Sequence, residues 1–250
     1  MTHNIRKSSK IFDMKDLYIP DGPWEFNSSV SQVFTDMISR SIPAYSELRS
    51  TISRLIKSQE QKERVILDIG CSNGIELQEL YSVCPEDTHF VGYDNADSFL
   101  EESRLKFSSQ PRIKIEYLDL EEEFKLPKSS SILCIFTLQF VSVSKRKRIL
   151  NEFYESLSSG GTLFLAEKIK GDLPVSDKLL IDTYHQYKKQ MGYSIEQIKA
   201  KQKSLENVLV PLTSIENQAL LREAGFDSVD VVWASLNFVL YVAFKQKETN

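Results

Sequence analysis

Cysteine is scarce in this chain. Cys71, Cys84 and Cys134 are the three thiols, an odd number with no Cys-x-x-Cys pair. That excludes a disulfide framework and a closed zinc site, and fits unpaired thiols in a reducing compartment. Histidine is equally sparse, at His3, His89 and His185, so no metal cluster is expected. No apolar run approaches the roughly 20 residues of a membrane span, and Met1 to Lys7 lack the apolar core of a secretory leader. A cytoplasmic protein with no membrane partner is expected. Neither sign of charge dominates: 31 Lys and Arg face 35 Asp and Glu, for a net −4. A chain-wide nucleic-acid footprint is therefore excluded. The basic runs at Lys145 to Arg148 and around Lys199, Lys201 and Lys203 read as solvated helix faces. No internal repeat or low-complexity tract interrupts the 250 residues, enough for one α/β domain with additions.

What is present is concentrated at residues 65–74, Val-Ile-Leu-Asp-Ile-Gly-Cys-Ser-Asn-Gly. A short β-branched run enters a turn bearing Gly70 and Gly74, and a helix-compatible segment follows. Four readings compete. A dinucleotide fingerprint needs glycines where this chain has Ser72 and Ile75, so the pyrophosphate cradle is missing. Gly70-Cys71-Ser72-Asn73-Gly74 also satisfies the Gly-x-Ser-x-Gly nucleophile elbow of α/β-hydrolases. That reading needs an acid and then a histidine downstream. Only His89 and His185 follow, and His89 opens the next strand. A turn with no ligand is the third reading. The fourth, an adenosine site, is favoured by what lies downstream.

Twenty residues beyond Gly74, the run Phe90-Val91-Gly92-Tyr93 ends in Asp94-Asn95. A third strand over 113–117 is followed by Asp119-Leu120. Asp68, Asp94 and Asp119 thus stand at three successive strand ends. Asp94 can accept both ribose hydroxyls, Asp119 the adenine amino group, and Asp68 can help position an ammonium. With no phosphate-binding device, the set suits a nucleoside carrying a sulfonium, S-adenosylmethionine. The sulfonium is already activated, so catalysis is mostly in-line positioning with an occasional general base. For that reason the residues name the cofactor and leave the acceptor open.

The rest of the chain reads as α/β. Residues 1–25 are expected to form an irregular arm and 26–247 a single domain. Val30, Val33, Phe34, Met37 and Ile38 give a helical stripe within 27–57, which Pro43 divides. Strands are expected at 65–69, 88–93, 113–117, 131–136 and 162–167, with helices at 74–82, 97–107 and 144–157. The last helix is expected to end on the Ser158-Ser159-Gly160-Gly161 cap. Helices 176–191 and 194–206 then form an insertion over 175–209, near the ligand-binding edge. A helix at 214–224 and strands at 228–233 and 237–244 close the pattern. The expected fold is Rossmann-like: a mostly parallel seven-stranded sheet with helices on both faces, N-terminal helices and a helical insertion after the fifth strand.

Beyond that pattern, the chain resembles the carboxy-S-adenosylmethionine synthases, within the class I methyltransferase superfamily. The resemblance runs from about Trp24 to Lys245. It rests on the segment Val33 to Ser46, the Asp-Ile-Gly-Cys-Ser turn, Phe136-Thr137-Leu138-Gln139-Phe140, Glu167-Lys168, Gly192-Tyr193-Ser194 and Leu205-Glu206-Asn207-Val208. The family makes a carboxylated S-adenosylmethionine from S-adenosylmethionine and prephenate, for tRNA wobble-uridine modification. The resemblance implies a nucleoside site at Tyr45, Gly70, Cys71, Ser72, Asp94, Asn95, Asp119 and Leu120, and a homodimer joined through the insertion. Two positions depart. The family's Asn before the Phe-Thr-Leu-Gln-Phe piece is Ile135 here. Its Arg three residues before the Leu-Glu-Asn-Val piece, which reaches across the dimer to the added carboxylate, is Gln202. Losing that charge-assisted pair forfeits about 1.5–3 kcal/mol. Lys201 and Lys203 flank Gln202 but point away from its direction on a helix.

These departures favour methyl transfer from S-adenosylmethionine to a small or medium acceptor. The alternatives are synthesis of the carboxylated cofactor and a non-catalytic partner that only binds the nucleoside. His185, between Tyr184 and Tyr187, is a candidate base or substrate contact, and Arg40 a candidate anion contact. Either also suits a purely structural role.

Overall fold

The computed structural model describes Pro20, residues 22–59 and residues 64–247. Most of the arm expected over 1–25 lies outside them. Trp24 is described and buried. Two helices come first, α1 (Ser28–Ser41) and α2 (Tyr45–Lys57). Pro43 separates them as expected: Ile42 before it is extended and Ala44 after it is left-handed, at φ 54°.

Strand and helix then alternate through β1 (Val65–Ile69), α3 (Ile75–Val83), β2 (His89–Asp94), α4 (Asp97–Lys106), β3 (Ile113–Tyr117), β4 (Ser129–Ile135), α5 (Val143–Ser156) and β5 (Leu157–Lys168). The insertion is α6 (Pro174–Gln190) and α7 (Ile195–Ser204), followed by α8 (Ser214–Glu223), β6 (Ser228–Ser235) and β7 (Phe238–Phe244). The seven strands lie in the order β3-β2-β1-β4-β5-β7-β6. Strands β1 to β5 are parallel, and β7 runs antiparallel to both β5 and β6.

Side-chain parity explains why the parallel strands read as continuous apolar runs. Leu67, Ile69, Ile132, Cys134, Leu163 and Leu165 pack on the face covered by α5 and α8. Ile66, Leu133, Phe164 and Ala166 pack on the other, with Leu48, Ile52 and Ile56 of α2 and Leu77 and Leu80 of α3. Both faces are covered, so both parities are apolar. Each such Leu, Ile or Phe contributes about 1.5–3 kcal/mol.

Most element ends fall within about two residues of expectation, and the junction of α5 and β5 differs by more. The Ser-Ser-Gly-Gly stretch does not cap α5. The helix ends at Ser156, and Leu157 is already extended, at φ −66° and ψ 136°. Leu157 pairs with Ser129, and the register between β4 and β5 shifts before Thr162 meets Ser131. The glycines therefore serve a bulge inside β5: Gly160 has φ +76°, and a side chain on Gly161 would crowd Ser158 O and Ser130 O. Tertiary pairing overrides a local cap signal here.

The strand order reverses between β1 and β4, which opens a crevice beyond their carboxyl ends. Helices α6 and α7 follow β5 at that same edge. Trp24 N donates to Ser204 O at 2.8 Å, tying residues 24–26 to the end of α7. Phe26 packs edge-on against Phe140 at 5.0 Å between ring centroids.

Candidate active site

The turn after β1 is suspended from β2. Gly70 N and Cys71 N both donate to Tyr93 O, at 2.8 and 2.9 Å. Ser72 N donates to Asp94 Oδ2 at 2.8 Å, and Ser103 Oγ of α4 donates to Ser72 O at 2.6 Å. These bonds hold Ser72 at φ 48°, a strained value for a residue with a side chain. Gly70 has φ +77°, and a Cβ there would overlap the Thr137 side chain. Only glycine fits, because the backbone after β1 must pass close under the residues after β4.

A cavity of 710 Å³ opens over this turn, along the carboxyl edge of the sheet. Asp94 projects at the end of β2. Its Oδ1 accepts from Ala96 N at 2.9 Å, so backbone amides hold both carboxylate oxygens where Asp94 lines the cavity. Burial raises its pKa, while the amides of Ala96, Ser72 and Asn95 oppose that rise. Asp119 Oδ1 accepts from Glu121 N at 2.9 Å, which fixes the loop after β3. Leu118, Leu120, Phe99 and Phe140 supply flat apolar walls beside it.

Beneath the turn lies a buried acidic group. Asp68 is 2% exposed, and its Oδ2 has no hydrogen-bond partner. Burial, then Glu76 and Asp94, pushes its pKa well up. Glu76 accepts from Tyr45 Oη at 2.7 Å and lies 3.3 Å from Arg49 Nε. An orphaned buried carboxylate oxygen under a strained glycine turn calls for a cation or donor. The ammonium of an amino-acid group fits that demand.

The opposite end of the cavity is basic and aromatic. Lys168, Tyr184, His185, Lys188, Lys201 and Gln202 line it. Lys168 Nζ stands 4.9 Å from the Tyr184 ring centroid. Burial lowers its pKa, offset in part by Asp177. Burial, then the ammoniums of Lys188 and Lys168, holds His185 below its ordinary value. A neutral imidazole is therefore available as an acceptor of protons.

The expected residues divide into two groups. Gly70, Ser72, Asp94, Asn95, Asp119, Leu120, Ile135, His185 and Gln202 all line the cavity. Tyr45, Asp68, Cys71 and Arg40 stand outside its lining. Tyr45 and Asp68 belong to the layer beneath, and Cys71 is buried in the sheet face with Leu77 and Ile115. Arg40 is 4% exposed, donates to Asp36 Oδ2 at 2.7 Å and to Met191 O at 3.3 Å, and stacks 4.6 Å over Tyr193. It ties α1 to the α6–α7 turn. Lys201 lines the cavity with Gln202, although one helical step separates them; its ammonium stands 4.9 Å from the Trp24 ring centroid. The spacing of residues assigns no site role to Lys168, Lys188 or Glu76, because their roles depend on neighbours far along the chain. Among the described residues there is no group of three or more metal-ligating side chains, and no helix long and apolar enough to cross a membrane.

Residues 66–161 match the model of a methyltransferase domain. The chain is 33% identical to the carboxy-S-adenosyl-L-methionine synthase of Trichodesmium erythraeum, over 98% of this chain and 99% of that one. It is 37% identical to the synthase of Helicobacter pylori, over 88% and 93%. Among solved structures, it resembles human N-acetylserotonin methyltransferase in complex with SAM. That match has a TM-score of 0.60 at 14% identity and covers 88% of this chain and 56% of that one. An O-methyltransferase family protein from Burkholderia thailandensis gives 0.62 at 12% identity, over 90% and 62%. The chain thus spans about 60% of the length of those two structures, and the likeness speaks to fold alone.

Proposed function

The chain belongs to the carboxy-S-adenosyl-L-methionine synthase family, and from that premise we propose that it uses S-adenosylmethionine to methylate a small or medium-sized anionic acceptor. The observation that carries this reading is that both departures from the family, Ile135 and Gln202, line the cavity. Ile135 follows Cys134, which pairs with Ala166's neighbour Leu165 on one side and Ile69 on the other. Ile135 is therefore level with Gly70 at the start of the glycine turn, near where a sulfonium substituent would sit. An added carboxylate there would meet a hydrocarbon wall and a neutral amide in place of a guanidinium fork.

When bound, S-adenosylmethionine supplies an activated methyl group to the acceptor's nucleophile and leaves with the electron pair of the broken carbon–sulfur bond, so the chain's residues need only hold the two in line. Asp94 accepts hydrogen bonds from the ribose hydroxyls and Asp119 from the adenine amino group, while the Gly70 turn, with Asp68 beneath it, orients the amino-acid end. His185, whose pKa is lowered by burial and then by the ammoniums of Lys188 and Lys168, takes the acceptor's proton. Tyr45 and Arg40 act through packing: Tyr45 positions Glu76, and Arg40 fixes the α6–α7 turn over the site.

A second reading, synthesis of the carboxylated cofactor, is favoured by the ammoniums of Lys168 and Lys201 at the basic end. Mass measurement of nucleoside extracted from purified protein separates the two. The methyltransferase reading expects S-adenosylmethionine or its demethylated product, and recovery of the carboxylated species sinks it. We further propose a homodimer through the insertion. Leu173, Val175 and Leu179 at the start of α6 are 62%, 75% and 67% exposed, a patch suited to a second copy. Sedimentation checks that state. The absence of direct nucleic-acid contact accords with the net charge of −4, and a cytoplasmic site of action with the few cysteines.

A further inference from the structure

We propose that Lys168 binds the anionic group of the acceptor, and that it does so within one chain. This rests on the methyltransferase reading above and adds the residue that selects the substrate. Lys168 is the last residue of β5. It shares parity with Ala166, whose side chain packs on the α2–α3 face, whereas Glu167 between them is buried. Its backbone is fixed from both sides: N–H donates to Gln139 Oε1 at 2.8 Å, and its Cα pairs with Phe238 of β7. The side chain therefore enters the cavity from a rigid strand end, while Gln202 sits exposed on a helix.

Strand order gives the span. From Asp94 on β2 to Lys168 on β5 there are three inter-strand steps, β2 to β1 to β4 to β5. At about 4.8 Å each, that is roughly 14 Å across the carboxyl edge. The nucleoside occupies the acidic side of that span. Lys168 then stands one strand beyond the β1–β4 crevice where the sulfonium falls, which is the acceptor's place.

The ammonium is poorly compensated. Its close contact is the Tyr184 face, and among the described residues it has no ion pair. Asp177 acts on it only from a distance, and Asp177 Oδ1 already accepts from Gly171 N at 2.9 Å. Lys188, 5% exposed, adds a second positive charge over the same ring at 5.6 Å. Lys188 also stands 4.8 Å from the Tyr193 ring centroid, so two ammoniums and two aromatic rings give this end of the cavity a positive potential that favours an anion beside Lys168. A carboxylate or a phosphate monoester on an aromatic or aliphatic body meets that need, with Ile135, Ile181 and Phe238 as its apolar walls.

The test is calorimetry on protein saturated with S-adenosylhomocysteine, titrated with benzoate, phenyl phosphate and neutral benzamide. Saturable binding of benzoate or phenyl phosphate, but not benzamide, supports the site, and the tighter of the two identifies the anion. K168M should weaken that anion at least tenfold and leave S-adenosylhomocysteine affinity within twofold, with partial recovery in K168R. Equal anion affinity in K168M overturns the proposal, as does a parallel loss of nucleoside affinity. If the wild type binds the nucleoside but neither anion, the inference fails and the cofactor reading stands. If it does not bind the nucleoside, both fail. Should the wild type yield a carboxylated nucleoside that K168M loses, Lys168 serves the cofactor's carboxylate, and the acceptor assignment is overturned.

Discussion

Removing the Asp94 carboxylate is the sharpest test of the nucleoside site. Asp94 holds Ser72 N at 2.8 Å and Ala96 N at 2.9 Å, and each carboxylate oxygen can accept a second hydrogen bond, from a ribose hydroxyl. Two charge-assisted hydrogen bonds contribute about 1.5–3 kcal/mol each, hence about 3–6 kcal/mol together. At 1.4 kcal/mol per decade, Asp94→Ala should weaken S-adenosylhomocysteine by about 10²–10⁴-fold. Asp94→Asn should fall between wild type and alanine. Its remaining oxygen still accepts one hydroxyl, but its amide nitrogen must face Ser72 N or Ala96 N, donor against donor. That mismatch frees one edge of the turn, so Asn should also lower the melting temperature. Calorimetric titration with S-adenosylhomocysteine, alongside thermal unfolding followed by circular dichroism, reads both effects. A folded Asp94→Ala protein that loses less than fivefold in affinity would refute the assignment of Asp94 to the ribose.

Gly70→Ala should cost about 1–3 kcal/mol in urea unfolding, because φ +77° and the Thr137 side chain both oppose a Cβ. An unchanged midpoint would show that the turn relaxes freely. His185→Gln should abolish turnover while leaving nucleoside affinity unchanged; turnover at the wild-type rate dismisses it as the base. Glu167 gives a pH signature. Burial raises its pKa from 4.5 to about 8, opposed by Arg146. The folded state holds this proton more tightly than the unfolded chain does. The stability it contributes is therefore complete below about pH 4.5 and is lost as pH rises toward 8. Glu167→Gln should gain stability relative to wild type between pH 6 and pH 9, measured as denaturant midpoints. A constant difference across that range contradicts the shift.

Much of the scaffold was legible because it obeys local rules. The β-branched runs bounded by glycine and acidic residues named five parallel strands, and Pro43 divided the first helices where its ring forbids continuation. The α5–β5 junction was misread for the converse reason. Ser-Ser-Gly-Gly carries a cap signal, yet pairing of Leu157 with Ser129 extends β5 through it. Arg40 and Tyr45 were singled out as ligand contacts, and the structure seats both in buried networks outside the cavity lining. A side chain's residue type shows what it can bond to, but not which neighbour is within reach.

The amino-acid sequence by itself determined the sheet, the turn and the acidic strand ends, because strand periodicity, glycine conformation and carboxylate chemistry are local properties. It also carried the family resemblance and the two departures, Ile135 and Gln202. Only the tertiary structure decided which charges share a space. Lys168, Tyr184, Lys188 and Lys201 come from β5 and two inserted helices, and they meet at one end of a 710 Å³ cavity. Asp68 and Glu76 meet beneath its floor in the same way. Electrostatics depends on distance and burial, and neither is written in the spacing of residues along a chain.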